Sequence, residues 1–406
     1  MMAHRRVVVT AMGMVTPVGS SAAETFDALI AGRCGIRTHP TIELGHRVGY
    51  VDADIAKGLH PAQLRQMDRV TVMAQYAAAQ ALAQAGMTAE QHAETGVFYG
   101  TGIGGVATLN EAIEAYHHLI PKRPVLVVPA TMPNAATALI AQNLASVAEA
   151  QTYATACSAG AVAIGEAFRR LRDGYLDVAI AGGAEAMLTH SIMRGWEQLR
   201  VLSPDPKDPA VGNCRPFSLR RSGFALSEGA AMLVLETLDH AKARGAQPIA
   251  EVCGYGVSND GTHPLRPDPV GQSRAMSKCL ADGNLDPRQV GYISAHATGT
   301  LVGDRIETAA IKRVFGAHAS ELAVSSIKGS LGHMIGAAGA VEAAVTALCV
   351  RERVVPPTLF YESGDPECDL DYVPGQARQL PDLEIAISNS FGMGGNNAVL
   401  AFRSIA

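Results

Sequence analysis

Short runs of Val, Ile and Ala alternate along the chain with Ala-rich segments of helical period. The runs predict strands at residues 7–10, 96–99, 177–181, 230–236, 291–294, 322–325 and 384–388. Several are apolar almost without interruption, the pattern of strands covered on both faces. Between them, Ile164, Phe168, Leu171 and Tyr175 recur at spacings of 4, 3 and 4, one face of an amphipathic helix that Asp173-Gly174 ends. Residues 332–350 form the most apolar later stretch, but His333 and Glu342 within it argue for a core helix over a membrane span. Strands and helices alternating in this way predict a layered α/β architecture.

No Ser/Gly linker or low-complexity tract divides the 406 residues. The softest boundary lies at 242–248, where Gly245 and Pro248 follow a charged helix end. Both sides of it offer strand–helix units of similar size, with too little identity to establish a duplication.

Composition narrows the classes. At 48% apolar and 17% charged residues the chain can bury a large core. Lys and Arg total 33 against 38 Asp and Glu, so no basic excess points to nucleic acid. Seven cysteines, an odd number scattered without a CxxC pair, argue against a disulfide scaffold or a structural zinc site and for a reducing compartment. Arg5-Arg6 ahead of an apolar run imitates a signal peptide, but Pro17 and Gly19 interrupt it, and Val7-Val8-Val9-Thr10 reads better as a first strand. A cytoplasmic location, with no membrane segment, is expected.

Four segments carry candidate chemistry. Ala154-Thr155-Ala156-Cys157-Ser158-Ala159-Gly160 sets a Cys between a strand and the amphipathic helix, where the helix N-terminus favours thiolate. The dipole alone contributes about one pKa unit, so further activation needs a neighbour; a small buried core Cys is the bland alternative. Ile293-Ser294-Ala295-His296-Ala297-Thr298-Gly299-Thr300 and Ser325-Ser326-Ile327-Lys328-Gly329-Ser330-Leu331-Gly332-His333 place two His and a Lys at strand exits, where α/β proteins gather ligands. The Gly-rich turn Ser388-Asn389-Ser390-Phe391-Gly392-Met393-Gly394-Gly395-Asn396-Asn397 would let backbone N–H groups approach a reacting oxygen. Gly100-Thr101-Gly102-Ile103-Gly104-Gly105 mimics a dinucleotide fingerprint, but no acidic residue ends a second strand about 20 positions on.

In this order and at these spacings, Cys157, His296, Lys328, His333 and the Asn389-Ser390-Phe391-Gly392 turn resemble the β-ketoacyl-[acyl-carrier-protein] synthases of the thiolase superfamily, the elongating synthase II type above all. Ala181-Gly182-Gly183-Ala184-Glu185 and Gly336-Ala337-Ala338-Gly339-Ala340 support the likeness, which runs over essentially the whole chain. The resemblance implies a thiolase-like layered αβαβα fold with two pseudo-equivalent halves, 1–245 carrying the nucleophile and 246–406 carrying the His, Lys and His. It implies a decarboxylative Claisen condensation: Cys157 accepts an acyl group, malonyl on an acyl carrier protein loses CO₂, and the chain grows by two carbons. It assigns the oxyanion hole to the N–H groups of Cys157 and Phe391, enolate stabilisation to His296 and His333, and supporting roles to Asp304 and Glu307. Lys328 would tune the two His, with Glu307 as its partner. Thr298 and Thr300 match pantetheine-binding positions; Ile103, Val127 and Trp196 match the acyl pocket.

The same likeness places Arg65, Lys122, Arg123 and Arg200 toward an acidic carrier, with Arg69 adding to them. No cofactor is required, since phosphopantetheine arrives on the carrier. A structural monovalent cation near Glu342, Ser388 and Asn389 is an option, a surface-facing Glu342 the simpler one. The expected assembly is a homodimer, or a heterodimer with a related subunit. A non-decarboxylating Cys acyltransferase and a non-catalytic carrier-binding subunit are the alternatives. Ala297, Gly299 and the segment Asn259-Asp260-Gly261-Thr262-His263-Pro264 depart from the family's usual residues, and with Trp196 and Val127 they suggest a reshaped acyl tunnel and a polyene or polyketide chain.

Overall fold

The computed structural model describes residues 4–117, 126–205 and 212–405. Ten strands form one mixed sheet: β1 (Val7–Val15), β2 (Gly96–Gly100), β3 (Ala150–Tyr153), β4 (Val178–Glu185), β5 (Gly229–Thr237), β6 (Ala250–Asn259), β7 (Val290–Ser294), β8 (Ala323–Ser325), β9 (Ile385–Gly392) and β10 (Asn396–Arg403). Their spatial order is β8-β7-β9-β10-β6-β1-β5-β4-β2-β3. Each predicted strand run falls on one of these strands. The first five and the last five strands repeat one topology. β3-β2-β4 and β8-β7-β9 are parallel, while β4-β5-β1 and β9-β10-β6 continue antiparallel. The two sets join where Val7–Val9 pairs antiparallel with residues 250–252. The duplication invisible in residue identities is therefore present in strand order and direction.

Five helices build the layers: α1 (Arg69–Ala85), α2 (Ala159–Arg172), α3 (Pro269–Asp282), α4 (Gly303–Phe315) and α5 (Ala338–Glu352). Helices α2 and α5 form the middle layer, packing Ile164, Phe168, Val341 and Val345 between the two sets of strands. Helix α1 covers the first set on its outer face, and α3 and α4 cover the second. The result is the expected αβαβα layering. Helix α5 is buried from Ala338 to Val350, consistent with its uninterrupted apolar sequence. Helix α2 ends at Asp173, with Gly174 at φ +88°, so Tyr175 lies beyond the helix and is exposed; only Ile164, Phe168 and Leu171 of the four apolar positions face the core.

α2 and α5 occupy equivalent places after β3 and β8, and their N-termini converge. Gly160 makes this possible, since a Cβ there would stand 2.8 Å from both the backbone N and the Cβ of Ala340. Such close backbone approach brings the turn before each helix, with Cys157 on one and His333 near the other, to one place. Each turn holds a non-glycine residue at positive φ, Ala156 at +52° and Ile335 at +41°, a conformation retained where surrounding packing enforces it.

Candidate active site

Cys157 sits in the 3₁₀ turn Ala156–Ser158, two residues before α2, whose positive dipole end faces it. Its Sγ lies 3.0 Å from His333 Nε2. Together with one ring nitrogen of His296, these ligand atoms all lie within 4.8 Å of one another. The imidazole centroids are 5.4 Å apart and nearly perpendicular, and the Phe391 ring stands 5.9 Å from that of His296. Cys157, His296, His333, Phe391, Trp196, Thr298 and Thr300 line one cavity of about 400 Å³.

Local contacts explain how each group is held. His333 is fixed through its backbone, donating N–H to Ala225 O and accepting from Ser227 N–H. His296 is placed by α4: Glu307 accepts the His296 N–H at 2.9 Å and the Ala297 N–H at 2.7 Å, and Asn389 donates to the same carboxylate at 3.0 Å. Asp304, one turn earlier on α4, accepts from Phe217 N–H at 2.7 Å and Gly299 N–H at 3.1 Å, securing the turn that carries Thr298 and Thr300. These two hydroxyls are 3.1 Å apart.

The electrostatics favour neutral groups. Burial, then the Lys328 charge, holds both imidazoles well below the ordinary histidine range. Neither Nδ1 has a hydrogen-bond partner among the described residues, so no carboxylate stabilises an imidazolium. Burial also pushes the Cys157 thiol up to about 11, opposed by the Met393 backbone N–H and by Lys328. The resting site is thus thiol and imidazole, without an ion pair. Neutral rings can donate N–H groups to charge that develops during reaction.

Lys328 lies below the cavity and is 1% exposed, and its ammonium donates to Glu342, not to Glu307 as expected. Glu307 is occupied by two backbone N–H groups and Asn389, whereas Glu342 on α5 reaches the ammonium directly. Glu342 does not face the surface: it is 1% exposed, and burial pushes its carboxyl up to about 7 against the pull of Lys328. Arg69 also departs from expectation, forking onto Glu228 at 2.9 and 2.6 Å as part of the scaffold. Arg65 is exposed, and Arg200 is exposed at the cavity rim. Lys122 and Arg123 fall outside the described residues. Trp196 meets Phe224 edge-on at 5.5 Å, and Phe224 meets His333 at 5.1 Å, linking the cavity wall to the reacting groups. Ile103 and Val127 do not line the cavity; Ile103 is exposed and Val127 half-buried.

One organising residue was not singled out from sequence. Glu185 is fully buried at the end of β4 and accepts from Gly102 N–H at 2.6 Å, Gly336 N–H at 3.0 Å and the Thr101 hydroxyl at 3.2 Å. It ties the glycine loop after β2 to the turn before α5, which accounts for the apparent dinucleotide fingerprint as internal bracing. The phrase Ala181-Gly182-Gly183-Ala184-Glu185 contained the signal, a lone carboxylate closing an apolar strand.

The chain matches two family models: "Beta-ketoacyl synthase, N-terminal domain" over residues 4–241 and "Beta-ketoacyl synthase, C-terminal domain" over residues 249–362. It is 39% identical to Nodulation protein E of Rhizobium sp. (strain N33), covering 99% of this chain and 100% of that protein. It is 40% identical to 3-oxoacyl-[acyl-carrier-protein] synthase 2 of Synechocystis sp. (strain ATCC 27184 / PCC 6803 / Kazusa), covering 98% of each. Among solved structures, the ishigamide ketosynthase/chain length factor superposes with a TM-score of 0.90 at 32% identity over 100% of both chains. A type II PKS acyl-carrier protein in complex with its ketosynthase bound to the hexaketide gives 0.90 at 30% identity, over 99% of this chain and 100% of that one. The chain belongs to the β-ketoacyl synthase family.

Proposed function

We propose that this acyltransferase condenses a Cys157-bound acyl chain with malonyl on an acyl carrier protein, extending the chain by two carbons. The observation that carries the reading is the meeting of one thiol and two neutral imidazoles in a single cavity. In acyl transfer, Cys157 Sγ attacks the incoming thioester as His333 Nε2 takes its proton; the tetrahedral oxyanion is held by the N–H groups of Cys157 and Phe391. Collapse expels the carrier's thiolate, which leaves with that proton as a thiol. Loss of CO₂ from malonyl then leaves an enolate, to whose oxygen His296 and His333, the latter now as its Nε2–H tautomer, donate N–H groups. The enolate carbon attacks the Cys157 thioester, and the Cys157 thiolate expelled takes up a proton. Lys328 acts through the imidazoles, its charge keeping them neutral. Asp304 and Glu307 position the turn and the His296 backbone.

The division proposed is 1–245 for the nucleophile-bearing half and 246–406 for the His/Lys/His half, supported by the repeated strand topology. Glu342 Oε2, Ser388 Oγ and Asn389 Oδ1 are buried without partners among the described residues, and this all-oxygen set suits a structural monovalent cation. Carrier docking is assigned to Arg65 and Arg200, with Lys122 and Arg123. No helix among the described residues is long and apolar enough to cross a membrane, and seven free cysteines support a reducing, cytoplasmic setting. A homodimer, or a heterodimer with a related subunit, is the assembly proposed, the ketosynthase/chain length factor neighbour favouring consideration of the second.

Trp196 in the cavity wall supports a reshaped tunnel and an unsaturated or polyketide chain. Competition between carrier-linked primers tests this: unsaturated chains should win, and preference for saturated medium or long primers would reject it. Product analysis with malonyl-carrier tests the reaction itself: a β-ketoacyl product with CO₂ release is expected. An acyl adduct without extension would favour a non-decarboxylating acyltransferase.

A further inference from the structure

The chain has 13 His, 7 Cys and 38 acidic residues, yet among the described residues only Cys157, His296 and His333 bring three metal-ligating atoms together. Their one sulfur and two ring nitrogens lie within 4.8 Å of one another, with Sγ and His333 Nε2 at 3.0 Å. A tetrahedral ion bound about 2.3 Å from sulfur and about 2.0–2.1 Å from nitrogen holds its ligand atoms about 3.3–3.6 Å apart. The trio brackets that geometry. The Sγ–Nε2 contact must open by about half an ångström, and no separation has to close by more than about 1.5 Å.

The donor set selects the class of ion. Sulfur with two imidazoles suits Zn²⁺ and disfavours Mg²⁺ and Ca²⁺, which take oxygen ligands. The buried carboxylates nearby are engaged elsewhere: Glu307 with two backbone N–H groups and Asn389, Glu185 with two backbone N–H groups and Thr101, Glu342 with Lys328. Both imidazoles are neutral, the form that binds metal. The cavity of about 400 Å³ beside the trio leaves the fourth position to water.

What surrounds the trio limits its strength. In tight sites the far N–H of each ligating ring donates to a carboxylate, carbonyl or water, a contact worth about 10- to 100-fold in affinity. Here His296 Nδ1 and His333 Nδ1 are buried without a partner among the described residues, and the Lys328 ammonium lies beneath. Two missing contacts weaken the ion about 10²- to 10⁴-fold against a structural zinc site, which puts dissociation near the micromolar range. Such an ion exchanges with solution.

We infer that Cys157, His296 and His333 form a reversible, inhibitory binding site for Zn²⁺. Binding forms one Zn–S and two Zn–N bonds and releases the Cys157 thiol proton to solvent. It occupies the nucleophile and both imidazoles at once. An acyl group on Cys157 removes the sulfur ligand, so metal and acyl chain exclude one another. The inference goes beyond the proposed reaction, and its test needs neither acyl nor malonyl substrate.

Co²⁺ is the spectroscopic probe. Titrated into the wild-type chain, it should give a thiolate-to-metal charge-transfer band in the near ultraviolet and the strong visible bands of a four-coordinate ion, saturating at one ion per chain. Equimolar Zn²⁺ should erase these bands, and about a thousandfold excess of Mg²⁺ should leave them. Cys157→Ser should lose the charge-transfer band, and His296→Ala should bind Co²⁺ about tenfold or more weakly. Circular dichroism checks that both variants are folded. With wild type alone, saturating Zn²⁺ should slow iodoacetamide labelling of Cys157 about tenfold or more, and EDTA should restore it; this arm decides the matter if a variant unfolds. A wild-type spectrum without the charge-transfer band overturns the inference, as does labelling that Zn²⁺ leaves unchanged. So does a band that survives in Cys157→Ser, which would put the ion on another cysteine.

Discussion

Lys328 and Glu342, 14 residues apart, form an ion pair sealed beneath the reacting groups, with side chains only 1% and 2% exposed. The ammonium's field reaches upward: it pulls down Cys157, His296 and His333 alike. The pair therefore links fold stability to the protonation of the site. Removing one partner leaves a buried uncompensated charge, a loss of about 3–5 kcal/mol. Glu342→Gln should lower unfolding free energy by that order in a urea titration. A change below about 1 kcal/mol would show that the ammonium has another partner.

The raised thiol sets a pH signature. With Cys157 at about 11, only about one thiol in a thousand is ionised at pH 8. Iodoacetamide labelling of the Cys157 peptide, read by mass spectrometry, should therefore climb about tenfold per pH unit between 7 and 10. A plateau by pH 8 would mean a preformed thiolate. The imidazoles stay neutral over the same range, because their ordinary titration is displaced downward, so they should add no inflection above pH 6.5.

Glu307 is expected to act through His296. Both its oxygens accept backbone N–H groups, from His296 and Ala297. Glu307→Gln turns one of these acceptors into a donor facing a donor, at a cost of about 1–3 kcal/mol. Steady-state assays should show kcat falling 10- to 100-fold with KM for the carrier within about threefold. An unchanged kcat would remove Glu307 from the positioning network.

Gly160 keeps the two central helices in contact. A methyl there meets Ala340 at 2.8 Å and Gly336 O at 3.0 Å, much of it immobile backbone. Gly160→Ala should cost about 1–3 kcal/mol of stability and slow Cys157 acylation as the two turns separate. Wild-type stability and acylation rates would contradict the close-packing account.

Much of this molecule was legible in its sequence because the strands are short, apolar and flanked by glycine. Cys157, His296, His333 and Phe391 lay at strand exits, and the fold brings those exits to one cavity. What sequence could not carry was depth and partnership. Glu342 looked like a surface carboxylate because a single polar residue in an Ala/Val helix has no visible partner until α5 is placed against Lys328. Glu307 looked like that partner because its backbone acceptor role depends on how α4 meets the end of β7. Ile103 and Val127 matched acyl-pocket positions in the resemblance, and neither lines the cavity that holds the reacting groups, a placement no local spacing encodes. The repeated topology was hidden for a related reason, since strand order survives when residue identity does not.

The most direct test is intact-mass and peptide analysis after incubation with an acyl-carrier substrate and then malonyl-carrier, for wild type and Cys157→Ala. One acyl adduct should form, mapped to Cys157, and be replaced on adding malonyl-carrier by a free thiol and a β-ketoacyl product two carbons longer. The alanine variant should carry no adduct and form no extended product. An adduct that persists in Cys157→Ala, or an extended product formed without Cys157, would contradict it.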